Sequence, residues 1–215
     1  MIRILAISAS PVPDSSTDLI LRRLMESVVA GVANQAKVET AFVRLNELTF
    51  IPCQACGKAP TPEVCFFDDD LTESYRQLTE CNCLLFGSPV YFDSVSAQAK
   101  MFIDRCNCFR PPDFDNVNGG HGFIRTLKRK RPGAMVIVGG ERGWLEGARR
   151  VIAGFFKWVE VTNEGLIEYR SPDYTKSGSV RDDEEIMLKT DNLGQKLAEL
   201  VVVGGEHLTN TSNRV

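Results

Sequence analysis

Five apolar runs separated by stretches of helical spacing set the plan of this chain. Ile4-Leu5-Ala6-Ile7 is continuous, as expected of a strand buried on both faces of a parallel sheet. Lys37 to Leu45 alternates polar and apolar positions and predicts a second strand. Asn82 to Phe86 and Ala134 to Val138 follow the buried-strand pattern again, and Val159 to Tyr169 predicts a last strand. Between these runs the period changes. Leu19, Ile20, Leu24 and Val28 recur on one helical stripe, and Asp68-Asp69-Asp70 lead into a second helix ending near Leu78. Ala97, Lys100, Met101, Asp104 and Arg105 mark a third helix, and Ala148, Val151, Ile152, Phe155 and Phe156 a fourth. Glu184 to Val203 reads as a fifth. Strands alternating with helices imply an α/β fold: a three-layer, doubly wound, five-stranded parallel sheet. No repeat, linker or composition shift divides it, so one domain is expected over 1–203, with 204–215 as a tail.

Ligands of such sheets bind beyond the carboxyl ends of the strands. Three loops of unusual composition fall there. The first, Ser8 to Thr17, holds Ser8, Ser10, Ser15, Ser16 and Thr17 among its ten residues, with Pro11 and Pro13 setting the turn. Hydroxyls beside the amino terminus of a helix suit an anion. In the second, Gly87, Ser88 and Pro89 are expected to end the third strand, because proline cannot continue a central strand. Val90, Tyr91 and Phe92 then lie on a loop, and Ser94 or Ser96 caps the next helix. The third loop, Gly139-Gly140-Glu141-Arg142-Gly143-Trp144, allows close backbone approach. Anion donors, a flat apolar surface and open backbone together fit a phosphorylated planar heterocycle, with FMN the obvious candidate. The first turn lacks a G-x-G-x-x-G dinucleotide fingerprint.

Composition narrows the setting. The chain of 215 residues is 43% hydrophobic and 25% charged, an ordinary globular balance. A formal charge of −3 argues against a general nucleic-acid binder. The basic run Lys128-Arg129-Lys130-Arg131 reads as a solvated helix end. No apolar run approaches the roughly 18 residues of a membrane span, and MIRILAIS reads as a first strand rather than a signal peptide. A cytoplasmic protein is expected, without membrane or nucleic-acid partners. Its seven cysteines are then thiols or ligands rather than disulfides.

Cys53-x2-Cys56 followed by Cys65 is a candidate ligand run, but three thiolates fall short of the usual four of an iron–sulfur cluster. Cys81 and Cys83 sit at strand spacing, and Cys106 and Cys108 close the third helix. A fourth ligand is available from any of these four, yet buried small hydrophobes or redox-sensitive thiols are the simpler reading, and no metal is assigned. The irregular stretch Asn107 to Gly122 is long enough to be functional or mobile. His121 and His207 are read as surface residues outside the three loops.

Three motifs make the sequence similar to the flavodoxin-like NAD(P)H-dependent FMN reductases, including their iron–sulfur flavoprotein branch. Where members open with a strand and SGSPRKNSNT, this chain has SASPVPDSST. Where they carry PCxxCxxC, it has PCQACGKA, with Ala59 in the third cysteine place. Gly87 to Arg105 matches GSPVYFxSVSAQxKxFIDR almost throughout. The resemblance implies that Ser10, Ser15, Ser16 and Thr17, with Ser8 in the same loop, surround the FMN phosphate. It places Pro89, Val90, Tyr91 and Phe92 along the isoalloxazine with Ser94 beside them, and Gly139, Gly140, Glu141 and Gly143 closing the pocket. It implies hydride transfer from NAD(P)H through FMN to a small acceptor such as flavin or quinone. The flavin carries the chemistry, so no catalytic triad is expected. Val12 stands where the family often has a basic residue and Ser16 where it often has Asn. Loss of that cation removes a charge-assisted bond of roughly 1.5–3 kcal/mol. Members usually form homodimers or tetramers, for which Phe109, Phe114 and Trp144 are candidate interface aromatics. Two alternatives remain: an electron carrier serving protein partners, and a non-redox binding protein that has lost its flavin.

Overall fold

The computed structural model describes residues 1–56, 64–113, 122–173 and 176–211, with side chains through 203. Its elements in chain order are β1 (Ile2–Ser8), α1 (Ser16–Val32), β2 (Val38–Arg44), α2 (Leu71–Glu80), β3 (Cys83–Tyr91), β4 (Ser94–Val95), α3 (Ala97–Arg105), β5 (Arg131–Gly140), α4 (Glu146–Trp158), β6 (Val161–Ser171) and α5 (Glu184–Thr211). Five strands form a parallel sheet in the order β2-β1-β3-β5-β6. The two-residue β4 pairs antiparallel with the end of β3. This is the doubly wound α/β sheet expected.

The unbroken apolar runs are explained by what lies on each face. Ile4 and Ala6 of β1 face one way and pack with Leu85, Val136, and the stripe Ile20, Leu21, Leu24 and Val28 of α1. Leu197 and Val201 of α5 complete that layer. Leu5 and Ile7 face the other way, with Phe86, Ile137, and Leu71, Phe102, Ile152 and Phe155 of α2, α3 and α4. Phe86, Phe102 and Phe155 form a ring cluster with centroids 5.2–6.1 Å apart. Burying one such side chain contributes about 1.5–3 kcal/mol. The edge strand β2 has a partner on one side only and is the least buried, which is why its sequence alternates.

Two expectations about elements are corrected. Pro89 does not end the third strand: β3 runs on to Tyr91, and Pro89 pairs with Val138 of β5. The reason is that β1 stops at Ser8, opposite Gly87. At Ser88 and Pro89, β3 pairs with β5 on one side and with no strand on the other, so the proline is an edge residue and its missing N–H is tolerated. Phe92 and Asp93 then form a tight turn between β3 and β4, both left-handed at φ 49° and 58°. The basic run is likewise not a helix end. Residues 128–130 lead directly into β5, Arg131 is buried in it, and Arg129 donates to the Glu80 and Cys81 carbonyls at the end of α2. At the carboxyl end the backbone of α5 runs on to Thr211, into the stretch expected as tail. Ala59, Phe114 and His121, and the side chain of His207, lie outside the described residues.

Candidate functional site

The order of strands creates a crevice. From β1 the chain crosses through α1 to β2 on one side, while β3 lies on the other. The loops leaving β1 and β3 therefore diverge at their carboxyl ends, where ligands of this fold class bind. The two loops are tied together. Ala9 N–H donates to the Gly87 carbonyl at 2.9 Å, and the Ser96 hydroxyl donates to the Ala9 carbonyl at 2.8 Å. Ser96 N–H in turn donates to Ser88 Oγ at 3.0 Å. Ser96 also caps α3, accepting from Ala99 N–H, so of the two capping serines weighed it is the one used.

The hydroxyl-rich loop is a braced frame. Ser15 caps α1 by accepting from Asp18 N–H at 3.3 Å. Ser10 Oγ accepts from Val12 N–H and donates to its carbonyl, closing the turn, while Asp14 takes a left-handed φ of 52°. Ser8 Oγ is fully buried and donates to Asp18. Ser16 Oγ accepts from Val180 N–H at 3.3 Å, fixing the chain before α5 against α1. The Ser8 and Ser16 hydroxyls thus hold the frame itself. What the loop offers an anion is the first turn of α1, where the N–H groups of Ser16 and Thr17 have no carbonyl within the helix. Val12 stands at the rim, 45% exposed.

Two residues of this frame escaped the sequence reading. Asp18 is fully buried beneath the loop, and Arg44 reaches it with Nε at 3.1 Å from Oδ2. Arg44 also donates to the Ser10 carbonyl at 3.4 Å and pairs with Glu47. A cation therefore does lie under the loop, supplied from the end of β2 rather than from position 12. The signal available was register: Arg44 is the Cα partner of Ser8.

The remaining loops meet above the same edge. Pro89 and Val90 are half-buried, Tyr91 and Phe92 are exposed on the turn, and Ser94 is half-buried in β4. Phe92 is a bulky residue in a left-handed conformation with its ring fully exposed. Such strain costs on the order of 1–3 kcal/mol and collects at ligand sites. Gly139 is buried against Leu145 and Val90, whereas Gly140 is exposed and a Cβ there would meet nothing within 4 Å. The backbone at the end of β5 is thus open to a ligand. Glu141 and Arg142 are exposed in the turn that Gly143 N–H closes on the Gly140 carbonyl. Arg170 braces this turn through the Gly143 carbonyl at 2.5 Å. Trp144 N–H donates to Asp93 Oδ1, and Gly147 of α4 lies so close to the hairpin that a Cβ would fall 1.9 Å from the Asp93 carbonyl oxygen. The three loops named from the sequence therefore form one connected edge. Their fit to a flavin phosphate rests on the open helix turn, the exposed apolar hairpin and the space over Gly140.

A second concavity lies at the far end of α3. A cavity of about 270 Å³ is lined by Cys53, Cys56, Cys65 and Cys108 together with Phe67 and Arg105. Cys81, Cys83 and Cys106 are buried elsewhere. Cys81 and Cys83 do not share a strand face: Cys81 ends α2 and packs on one side of the sheet, and Cys83 opens β3 on the other. Among the described residues, no three His, Cys, Asp or Glu side chains are gathered closely enough to hold a single metal ion.

Comparison with known proteins decides the family. The model of the NADPH-dependent FMN reductases matches residues 2–166. The chain belongs to this family. It is an NAD(P)H-dependent flavin oxidoreductase with FMN as its cofactor. An iron–sulfur flavoprotein of Methanocaldococcus jannaschii is 29% identical over 204 residues, spanning 93% of this chain and 97% of that protein. An iron–sulfur flavoprotein of Methanosarcina thermophila is 28% identical over 159 residues, spanning 74% and 73%. The solved structure of RosB with a bound riboflavin 5′-phosphate derivative shares the fold, with a TM-score of 0.66 at 13% identity over 98% of this chain and 81% of that one. No helix among the described residues is long and apolar enough to cross a membrane.

Proposed function

We propose that this chain binds FMN at the β1–β3 edge and uses NAD(P)H to reduce a small acceptor such as a free flavin or a quinone. The observation that carries the reading is the convergence of three chemically distinct loops on one edge, bonded to one another through Ser96, Ser88 and Asp93. The first turn of α1, with Ser15, Ser16 and Thr17, receives the phosphate, and Ser10 keeps the loop folded around it. Arg44 offsets the Asp18 charge beneath the loop, so the phosphate does not meet an uncompensated carboxylate. Pro89 to Phe92 form the wall against the ring, and the open backbone at Gly140 lets the ring approach. When bound, FMN supplies the redox chemistry by accepting a hydride and passing electrons to the acceptor. Arg142, exposed in the adjoining turn, adds positive charge on the same side. Phe92 and Trp144, both exposed beside the site, suit a second copy of the chain covering it. A cytoplasmic setting agrees with seven free thiols.

The test is to load the purified protein with FMN and add NADPH, then NADH, without oxygen. Loss of the visible flavin band with either nicotinamide supports a reductase. FMN that binds but is reduced by neither would make the chain an electron carrier for protein partners. A protein that stays colourless with excess FMN would remove both readings.

A further inference from the structure

The phosphate loop is short of positive charge. Asp14 is exposed at its rim, and beneath it Asp18 and Glu47 both pair with Arg44. That single guanidinium is shared by two carboxylates, and Val12 adds no charge. A phosphate monoester carries about −1.5 to −2 at pH 7, so three acids and one arginine would repel it. The first turn of α1 offsets only part of this, being worth roughly half an elementary charge. The arginines of α1 are engaged elsewhere: Arg22 stacks on Phe42 and Arg23 pairs with Asp191. The chain before α5 brings another. Ser177 Oγ donates to the Asp14 carbonyl at 3.4 Å. Ser179 Oγ lies 3.5 Å from Ser16 Oγ, 3.0 Å from the Tyr169 hydroxyl and 2.9 Å from Ser171 Oγ. Together with the Val180 N–H on Ser16 Oγ, these contacts fix residues 177–180 on the start of α1. Arg181 follows directly.

We propose that Arg181 is the cation of the phosphate subsite, reaching the FMN phosphate across Gly178. The inference rests on the flavin site of the proposed function and adds to it a residue from outside the three loops. Gly178 is left-handed at φ 68°. A Cβ there would meet Arg181 Nη1 at 2.8 Å, the Asp14 carbonyl oxygen at 2.9 Å and Leu19 Cδ1 at 2.9 Å. The guanidinium and the end of the phosphate loop therefore meet over this one residue, and glycine leaves the room for it. The neighbouring acids are taken: Asp182 pairs with Lys176 at 3.0 Å, and Asp183 accepts from Ile186 N–H at the start of α5. Among the described residues the Arg181 guanidinium has no ion pair and no hydrogen bond, although the Asp14 backbone is beside it. Its donors are free, and their planar fork matches two oxygens of a phosphate. Arg181 is exposed, so its charge is available to a ligand and is not held in the core.

The experiment titrates the full chain with FMN and with riboflavin, which lacks the phosphate, and follows flavin fluorescence. Wild type should bind FMN more tightly than riboflavin. Arg181→Gln should weaken FMN binding about tenfold or more, the loss of one charge-assisted bond, and leave riboflavin binding unchanged. Lys176→Gln removes a charge already paired with Asp182 and should weaken FMN binding far less than Arg181→Gln does. An Arg181→Gln chain with wild-type FMN affinity overturns the proposal. So do equal losses for FMN and riboflavin, which would show that Arg181 only shapes the turn. A Lys176→Gln loss as large as that of Arg181→Gln overturns it too, since diffuse charge rather than a contact would then be at work. Failure of the flavin site is read separately. A wild-type chain that binds neither flavin, or binds both equally, refutes the phosphate site and the cation together. FMN binding that needs the phosphate but is untouched by Arg181→Gln leaves the site standing and removes only the cation.

Discussion

Substituting Gly147 by alanine tests whether the hairpin wall is held in place by α4. A Cβ on Gly147 would lie 1.9 Å from the carbonyl oxygen of Asp93, on the turn that carries Phe92. Carbon–oxygen contacts settle near ~3.3 Å, so helix and hairpin must part by roughly 1.4 Å. The oxygen belongs to backbone and cannot swing aside as a long side chain would. Overpacking of this kind costs about 1–3 kcal/mol. Gly154 on the same helix is the control, since a Cβ there meets nothing within 4 Å. Alanine gains helix propensity of up to ~1 kcal/mol over glycine at either site. The difference between the two variants therefore isolates the clash at about 1–3 kcal/mol, or a shift in Tm of about 2–4 °C for each kcal/mol. Urea denaturation reads the stability, and FMN titration reads the site. Gly154→Ala should be slightly more stable than wild type with unchanged FMN affinity. Gly147→Ala should be less stable than Gly154→Ala and bind FMN about tenfold or more weakly, a loss of ~1.4 kcal/mol. Equal stability and equal FMN affinity in the two variants would refute the reasoning.

Three further substitutions probe other parts of the account. Phe92→Gly relieves a left-handed conformation without uncovering buried surface, so the apoprotein should gain about 1 kcal/mol in urea denaturation while FMN binding weakens. A loss of stability would show that the ring packs on the chain itself. Ser96→Ala removes the cap of α3 and the bond to the Ala9 carbonyl, and calorimetry should show a loss of about 1–2 kcal/mol with weaker FMN binding. Glu160 is buried between Arg110 and Arg125. Burial pushes its carboxyl up, but the hydrogen bonds and charges of the two arginines outweigh this and hold it below the usual range. A depressed value means stability that is present above the unfolded pKa of about 4.3 and lost as pH falls through the lower folded value. Glu160→Gln should therefore cost about 1–3 kcal/mol at pH 7, with the gap to wild type closing below roughly pH 4. A gap that does not change with pH would contradict the pairing.

Patterning made the sheet and its helices readable because each interior strand is buried on two faces and each helix on one stripe. Ile4 to Ile7 and Ala134 to Val138 could hardly be anything else once the alternation with helices was seen. The failure at Pro89 shows the limit of local rules. Whether a proline sits in a central or an edge position depends on where its neighbour ends, and β1 ends at Ser8. The reading of Lys128 to Arg131 failed for a related reason. Arg131 belongs to a strand and Arg129 bonds to the end of α2, contacts that no local pattern encodes. The three loops of the site were legible because hydroxyls, aromatics and glycines each mark a chemistry. Their internal bracing was not: Asp18 and Arg44 meet across two elements, and only the register of β1 on β2 brings them together. Cys108 joins the cysteine cavity in the same way, from a turn distant in sequence.

The most direct test of the flavin site is a crystal structure of the chain grown with FMN. The account predicts the phosphate against the N–H groups of Ser16 and Thr17 and the ring along Pro89 to Phe92, over Gly140. Density for FMN at any other place on the molecule, with that edge empty, would contradict it.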